Sequence, residues 1–246
     1  MQANLYPALH APQDGYVFVV TYGRSGSTLT QKLLNSIPGY QIRGENGNIL
    51  YHLARAATVT STWENFIWRR EDINKSKQEQ KEFLRDIIGT SGDPWYGAEL
   101  VNPNSFRCSI ADKFVSEILR PNKETRVSGF KEIRWHEDRV FFPKFLRFIK
   151  FTFPKSKFIF QTRTAGDVAK SAWWKNRSQS DVLEMIASAD RLYAQFSKDF
   201  SDSCFTVEYE RYAEGPSYVK EIFDFLNEDL DIDSVASILG NRLRHA

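Results

Sequence analysis

A group of residues able to bind an anion lies close to the start of the sequence. Residues 22–28 read Tyr-Gly-Arg-Ser-Gly-Ser-Thr. Glycines let the backbone turn tightly and approach a ligand, so that successive N–H groups can point at one anion. Hydroxyl side chains add hydrogen-bond donors, and an arginine adds a permanent positive charge. The predicted anion-binding residues are Gly23, Arg24, Ser25, Gly26, Ser27 and Thr28.

The residues on either side of this loop predict a strand before it and a helix after it. Residues 17–20 are Val-Phe-Val-Val, a run typical of a strand. Apolar residues then recur at helical spacing from Leu29 to Ile37, and a Pro-Gly pair ends the pattern. The N terminus of that helix would add partial positive charge beside the loop.

The loop differs from the ATP-binding loop of P-loop proteins. In that loop a lysine directly precedes the Ser or Thr that holds Mg²⁺. Here Ser27 takes the place of the lysine, and Arg24 is the only cation of residues 22–28. A phosphate-like group bound without a metal is therefore predicted. A plain Gly/Ser turn is the alternative, and the arginine between strand and helix favours anion binding.

Further polar residues follow predicted strands later in the chain. These strands are predicted at 40–43, 126–133, 157–162 and 204–209. The polar residues at or near their carboxyl ends are Glu45, Lys131, Arg163 and Tyr209. Helices are predicted at 145–153, from 164 to Trp173, and after Pro216. In an open α/β sheet the loops at the carboxyl ends line the ligand crevice, so we expect these side chains to converge there.

This alternation of strands and helices predicts an α/β fold. We expect one domain over residues 1–246, with a central parallel sheet flanked by helices on both faces. A mainly helical insertion at about 49–125 shows no strand pattern, and its charged stretch 69–85 is expected to face solvent. Its aromatic residues predict the core of the insertion, with stacking on a sugar or aromatic acceptor as the alternative. They are Trp63, Trp68, Trp95 and Tyr96.

Composition excludes several classes of protein. The 33 Lys and Arg residues nearly balance the 31 Asp and Glu residues, which does not favour nucleic acid as a partner. The only two cysteines, Cys108 and Cys204, are too few for a disulfide framework or a zinc cluster. The four histidines, at 10, 52, 136 and 245, take no metal-ligand spacing. Without a signal-like start or a membrane-spanning run, we expect a cytoplasmic protein with no integral membrane segment.

Three motifs together resemble the sulfotransferases that use 3′-phosphoadenosine 5′-phosphosulfate. The first is Gly23-Arg-Ser-Gly-Ser-Thr-Leu29, similar to the loop of the carbohydrate and protein-tyrosine branches. The second is an arginine at a strand end with a serine eight residues later, Arg163 and Ser171. The third is the segment 207–226 around Tyr209. The cytosolic branch, with a loop lysine and a histidine base, does not match. The resemblance implies the P-loop-like sulfotransferase fold.

The resemblance also implies roles for the site residues. Residues 23–28 would bind the 5′-phosphosulfate, Arg163 and Ser171 the 3′-phosphate, and Tyr209 would lie near the adenosine. Glu45 follows Arg24 by 21 residues, the spacing of the catalytic Glu in the protein-tyrosine branch. Glu45 is therefore predicted as the base, with Arg24 and Lys131 stabilising the sulfuryl and bridging oxygens. His52 is the second candidate for the base.

The implied reaction sulfates a hydroxyl of a carbohydrate or small metabolite, with the nucleotide as co-substrate and no metal. Two alternatives remain open at this point. One is a nucleotide-dependent kinase or phosphotransferase, which needs Mg²⁺ and a Walker-type lysine. The other is a nucleotide-binding module without catalysis, which the presence of Glu45 disfavours. The basic end, residues 241–244, could close over the 3′-phosphate, although a solvated end is the favoured interpretation.

Overall fold

The computed structural model describes residues 2–241 and contains a five-stranded, wholly parallel sheet. Its strands are β1 (Gly15–Val20), β2 (Tyr40–Arg43), β3 (Val127–Glu132), β4 (Lys157–Thr162) and β5 (Cys204–Glu208). They lie side by side in the order β2-β3-β1-β4-β5. The predicted α/β class is confirmed, and the bounds of β2 and β4 match the predicted ones.

Ten α-helices connect and flank the strands of the described chain. They are α1 (Gln2–Leu5), α2 (Ser27–Leu34), α3 (Ile49–Thr62), α4 (Glu64–Asp72), α5 (Pro103–Phe114), α6 (Phe142–Thr152), α7 (Ala165–Ala169), α8 (Gln179–Asp199), α9 (Pro216–Leu226) and α10 (Ile232–Gly240). A π-helical turn, Val115–Leu119, extends α5. None of the helices within residues 2–241 is both long and apolar enough to cross a membrane.

Alternate residues of β1 build two hydrophobic cores, one on each face of the sheet. Tyr16 and Phe18 pack into the larger core, which α3, α5, α6 and α8 cover. Val17 and Val19 face the smaller core beneath α2, α9 and α10. Successive side chains of a strand point to opposite faces, so both faces of a strand between two helix layers are buried. Every residue of β1 and β3 is accordingly buried, which fixes the carboxyl ends of these strands in place.

The segment 49–125 is only partly peripheral. Helices α3 and α5 contribute buried residues to the larger core, so they form part of the layer that covers the sheet. The expectation that residues 69–85 face solvent is wrong at Arg69, which is 2% exposed and pairs with Asp93. A charged group can be buried when a partner of opposite charge is buried with it. The interpretation of Trp63 and Tyr96 as insertion core is also wrong, because both are exposed.

Candidate active site

A cavity of about 340 Å³ lies at the carboxyl edge of the sheet. Ligand pockets commonly occupy about 300–1,000 Å³, so this volume is large enough for a small ligand. Of the predicted site residues, those that line it are Gly23, Arg24, Gly26, Ser27, Thr28, Glu45, Lys131, Arg163, Ser171 and Tyr209. Residues distant in sequence therefore meet around one space, as the predicted strand ends required.

The anion-binding loop leads directly into the N terminus of α2. Gly26 precedes the helix with a φ of 86°, and no side chain caps the first turn. The leading N–H groups of a helix lack partners within the helix, so here they are free to bind an anion. Arg24 also has a positive φ, 69°, which is uncommon for a residue with a side chain. This loop conformation is kept by contacts with neighbouring strands.

Buried hydrogen bonds hold the loop from behind. The Gln161 amide donates to the Ser25 carbonyl at 3.1 Å, and the Trp174 indole N–H donates to the Gly23 carbonyl at 2.9 Å. The hydroxyls of Thr21 and Ser25 lie 2.7 Å apart. Ser25 is fully buried by these contacts, and it is the predicted binding residue that does not line the cavity. Its hydroxyl supports the loop in this conformation, and its backbone remains part of the turn.

Two arginines and their partners form one side of the cavity. Arg24 Nε donates to Ser171 Oγ at 3.0 Å, and Arg163 Nη1 donates to the Arg24 carbonyl at 3.0 Å. The Arg163 guanidinium also lies 4.4 Å from the ring centroid of Tyr209, a cation–π distance. The fold thus brings together four residues of the predicted site, Arg24, Arg163, Ser171 and Tyr209. Arg24 and Tyr209 are 185 positions apart in the sequence.

Arg163 is positioned by a tyrosine of the neighbouring strand end. The Tyr22 hydroxyl donates to the Arg163 carbonyl at 3.1 Å and accepts from the Arg163 N–H at 2.9 Å. Burial raises the pKa of Tyr22, so the phenol stays protonated and able to donate. The helix predicted after Arg163 ends earlier than expected, at Ala169, because the backbone turns at Ala172, whose φ is 45°. Ser171 stands in this turn.

The predicted base is paired with the predicted lysine. Lys131 Nζ donates to Glu45 Oε1 at 2.6 Å, and the Lys131 side chain is far more buried than that of Glu45. Next to Lys131, the buried carboxylate of Glu132 accepts the N–H of Asn48, 3.3 Å away, in the loop that carries Glu45. Burial raises the pKa of Glu132. Strand β3 therefore holds this loop through two side chains.

Some lining residues were missed in the sequence. Lys32 lies one helical turn after Thr28, a spacing that could have indicated it. Trp173 lines the cavity beside Ser171 but was assigned only to a helix. No sequence pattern indicated the hydrogen bonds by which Gln161 and Trp174 support the loop, because each bond joins residues more than 130 positions apart.

Other predicted features lie away from the cavity or outside the described residues. His52 is exposed and is not a lining residue. Asn241 lines the cavity, whereas the rest of the basic end, residues 242–244, lies outside the described residues. Residues 2–241 contain no group of three His, Cys, Asp or Glu side chains placed to hold a metal ion.

The balance of charge around the cavity favours an anionic ligand. Four cations line it, Arg24, Lys32, Lys131 and Arg163, against the single carboxylate Glu45. A helix N terminus at the same place adds further positive potential. The fold and site together define an α/β protein whose cavity is lined by a Gly/Ser loop, with Ser27 at the position of the Walker lysine and Arg24 earlier in the loop.

Comparison with known proteins gives the family. The sequence profile described as "Sulfotransferase family" matches residues 16–232. This chain belongs to the sulfotransferase family and is an enzyme of that class, which transfers sulfuryl groups. The match includes the anion-binding loop and every predicted catalytic and binding residue. A search of curated proteins found no significant match.

Solved structures of sulfotransferases are similar to this chain at low sequence identity, and the first of them shows the same fold. The sulfotransferase domain of the Synechococcus PCC 7002 olefin synthase is 18% identical, with a TM-score of 0.52, over 94% of this chain and 78% of that one. The sulfotransferase domain from the curacin biosynthetic pathway is 15% identical, with a TM-score of 0.49, over 94% and 80%. A sulfotransferase from Alicyclobacillus acidocaldarius is 14% identical, with a TM-score of 0.47, over 87% and 81%.

Proposed function

We propose that this enzyme transfers the sulfuryl group of 3′-phosphoadenosine 5′-phosphosulfate to a hydroxyl of a carbohydrate or small-molecule acceptor. The products are a sulfate ester and 3′,5′-diphosphoadenosine. The proposal rests on one observation above all: a single cavity is lined by the loop of Arg24, by Arg163 and Ser171, and by Glu45. Such a cavity offers two anion positions and a carboxylate.

The donor nucleotide is assigned to the loop and to the two arginines. The N–H groups at the start of α2 bind the 5′-phosphosulfate, with Thr28 and Ser27 adding hydroxyl donors. Arg163 and Ser171 bind the 3′-phosphate, since a guanidinium and a hydroxyl suit phosphate oxygens. Tyr209 packs beside the adenosine. Ser171 Oγ accepts from Arg24 Nε, so its own O–H is available to donate to a phosphate oxygen at the same time.

The transfer itself is an in-line displacement at sulfur. The acceptor oxygen forms a bond to sulfur while the bond between sulfur and the phosphate oxygen breaks, and charge grows on that leaving oxygen. Glu45 accepts the proton that the acceptor hydroxyl loses. Lys131, now paired with Glu45, also reaches toward the sulfuryl oxygens, and Arg24 stabilises the bridging oxygen. No metal takes part in this scheme.

The segment 49–125 is assigned to the acceptor side. Helix α3 begins at Ile49, four residues after Glu45, so the segment leaves the sheet next to the proposed base. None of the residues of this segment lines the described cavity. An acceptor larger than the cavity would therefore contact the segment outside the cavity. We treat the whole chain as one domain with this insertion.

The test begins with ligand binding. Thermal unfolding is measured with 3′,5′-diphosphoadenosine, with ATP plus Mg²⁺, and without ligand. We expect the diphosphate to raise the melting temperature, because a ligand that binds only the folded state stabilises it. Transfer of labelled sulfate to a panel of hydroxyl acceptors then follows. Stabilisation by ATP plus Mg²⁺ alone would instead identify a phosphotransferase, and binding without transfer a module that has lost catalysis.

A further inference from the structure

One tryptophan of the cavity wall is exposed. Trp173 has 51% of its surface accessible and lines the cavity together with Gly23, Arg24 and Glu45. Tryptophan is highly buried on average, because its large ring contributes much apolar surface. An exposed indole on the wall of a binding cavity is therefore a candidate contact for a ligand ring.

The structure holds this indole in one place. The chain enters Trp173 from Ala172, whose φ of 45° is strained for a residue with a Cβ. The next residue, Trp174, is buried and bonded through its indole N–H to the Gly23 carbonyl. A Cβ added at Gly23 would lie only 2.7 Å from Cζ2 of Trp173, so the ring lies directly against this glycine. Trp173 is thus presented by a fixed turn.

The position of Trp173 differs from that of the other aromatic residue of the cavity. Tyr209 lies against Gly26 and under Arg163. Trp173 instead lies at the start of the loop, with the Arg24 guanidinium 5.8 Å from its ring centroid. Tyr209 is assigned to the adenosine. Trp173 is therefore available to contact the acceptor, which approaches Arg24 and Glu45.

We propose that Trp173 is the stacking surface for a sugar ring of the acceptor. This inference rests on the proposed function and narrows its acceptor to a carbohydrate. A pyranose has a face of C–H groups, weakly positive, which suits the negative face of an indole. Its edge carries hydroxyls, and the same cavity offers Glu45 and Lys131 for them. An acyclic alcohol has no face to stack on Trp173.

The kinetic test compares Trp173→Ala with Trp173→Phe. The acceptors are methyl pyranosides, p-nitrophenol and glycerol, each assayed with labelled donor. We expect the pyranosides to be the best acceptors, and Trp173→Ala to raise their KM on the order of tenfold, as for loss of one aromatic contact. Trp173→Phe should restore most of that loss, and the Kd of 3′,5′-diphosphoadenosine should stay within about twofold in both variants.

Phe151→Ala is the control. Phe151 is an exposed aromatic residue of α6 that lies outside segment 49–125 and does not line the cavity, so this variant should leave the acceptor KM unchanged. The proposal is overturned if p-nitrophenol or glycerol is preferred, if the pyranoside KM does not change in Trp173→Ala, or if nucleotide affinity falls by the same factor.

A binding measurement separates this inference from the proposed function. Saturation-transfer NMR with methyl pyranosides needs no turnover, and we expect a signal with the wild type that is lost in Trp173→Ala. If the wild type transfers no sulfate but keeps this signal, the proposed reaction fails and the sugar contact stands. If sulfate is transferred but the signal is equal in both proteins, the sugar contact fails and the reaction stands.

Discussion

The loop of residues 22–28, proposed to bind the sulfate donor and called the donor loop below, is built differently from the loop that carries Glu45, although both face one cavity. The donor loop is held by buried bonds from Gln161 and Trp174, and its neighbours in the sheet are buried on both faces. The loop 44–48 is more exposed and is held by Lys131 and Glu132 of β3. Buried hydrogen bonds therefore hold the donor loop, whereas polar contacts nearer the surface hold the loop 44–48.

This difference suits two separate tasks. A nucleotide with several fixed charges gains affinity from donors that are already in position, because little ordering is needed on binding. A proton acceptor instead needs an oxygen that can meet a hydroxyl; Oε1 of Glu45 accepts from Lys131, and Oε2 is the second oxygen of the same carboxylate. We therefore expect changes in the donor loop to act on affinity, and changes in the loop 44–48 to act on turnover.

The largest expected effect is on turnover. Glu45→Gln keeps the size of the side chain and an oxygen that accepts from Lys131, but it removes the base. We expect kcat to fall by about a thousandfold, within the usual range for loss of a general base. The Kd of 3′,5′-diphosphoadenosine, measured by calorimetry, should change by less than about twofold.

Glu124→Gln is the control for this variant, because Glu124 is exposed at the opposite edge of the sheet, just before β3. Its kcat should equal that of the wild type. Full turnover by Glu45→Gln would remove Glu45 from the mechanism and, with it, the contrast between the two loops.

A pair of glycine variants tests the contrast directly. Gly26 and Gly47 both have positive φ, 86° and 71°. A Cβ at Gly26 would lie 2.1 Å from Cδ2 of Tyr209, whereas nothing lies within 4 Å of a Cβ at Gly47. Both variants share a backbone strain of about 1–2 kcal/mol. Because the new Cβ would also clash with Tyr209, we expect Gly26→Ala to weaken diphosphoadenosine binding by about a hundredfold or more.

In Gly47→Ala we expect nucleotide affinity to stay within about threefold of the wild type. Calorimetric titration of both proteins, with melting curves to check folding, makes the comparison. Equal losses of affinity in the two variants would show that backbone strain, and not the contact with Tyr209, controls the donor loop.

The third prediction concerns the 3′-phosphate. Arg163→Ala removes a charged donor, and we expect about a thirtyfold loss of affinity for 3′,5′-diphosphoadenosine, the usual size for a charge-assisted hydrogen bond. Affinity for adenosine 5′-phosphate, which lacks the 3′ group, should change little. Arg191→Ala, on the exposed side of α8, is the control and should bind both nucleotides normally. A variant that still prefers the diphosphate would disprove the assignment of Arg163.

The smallest expected effect is a change of stability with pH. His136 is buried against Tyr22 behind the donor loop, and burial lowers its pKa to about 4 from 6.5. The unfolded chain therefore binds more protons between these pH values, and His136 makes the folded state less stable as pH falls through this window. At pH 5.5 the loss should be on the order of 1 kcal/mol relative to pH 8.

The measurement is the free energy of unfolding of wild type and His136→Gln in denaturant at both pH values. Burial raises the pKa of Asp190 to about 6, and that carboxyl has the opposite slope, so the difference between the two proteins is the informative quantity. We expect the variant to lose less stability than the wild type on acidification. Parallel losses would exclude His136 as the source.

Local patterns were enough for most of the sheet and for the turn between β1 and α2. Strands 40–43 and 157–162 were predicted to the residue, because short apolar runs between turn signals constrain their ends. The burial of Arg69 was not predictable, because its partner Asp93 lies 24 residues away in an irregular segment. The early end of α7 was missed as well, since nothing in the sequence indicates the turn at Ala172.

The sequence alone determines the family, the order of strands and helices, and the types of residue available for chemistry. These properties depend on side-chain type and spacing along the chain. The tertiary structure alone decides that Ser25 turns inward, that Glu45 pairs with Lys131, and that Trp173 is exposed beside the loop. Each of these follows from the packing of strand ends that the chain brings together across long distances, and no local pattern encodes such packing.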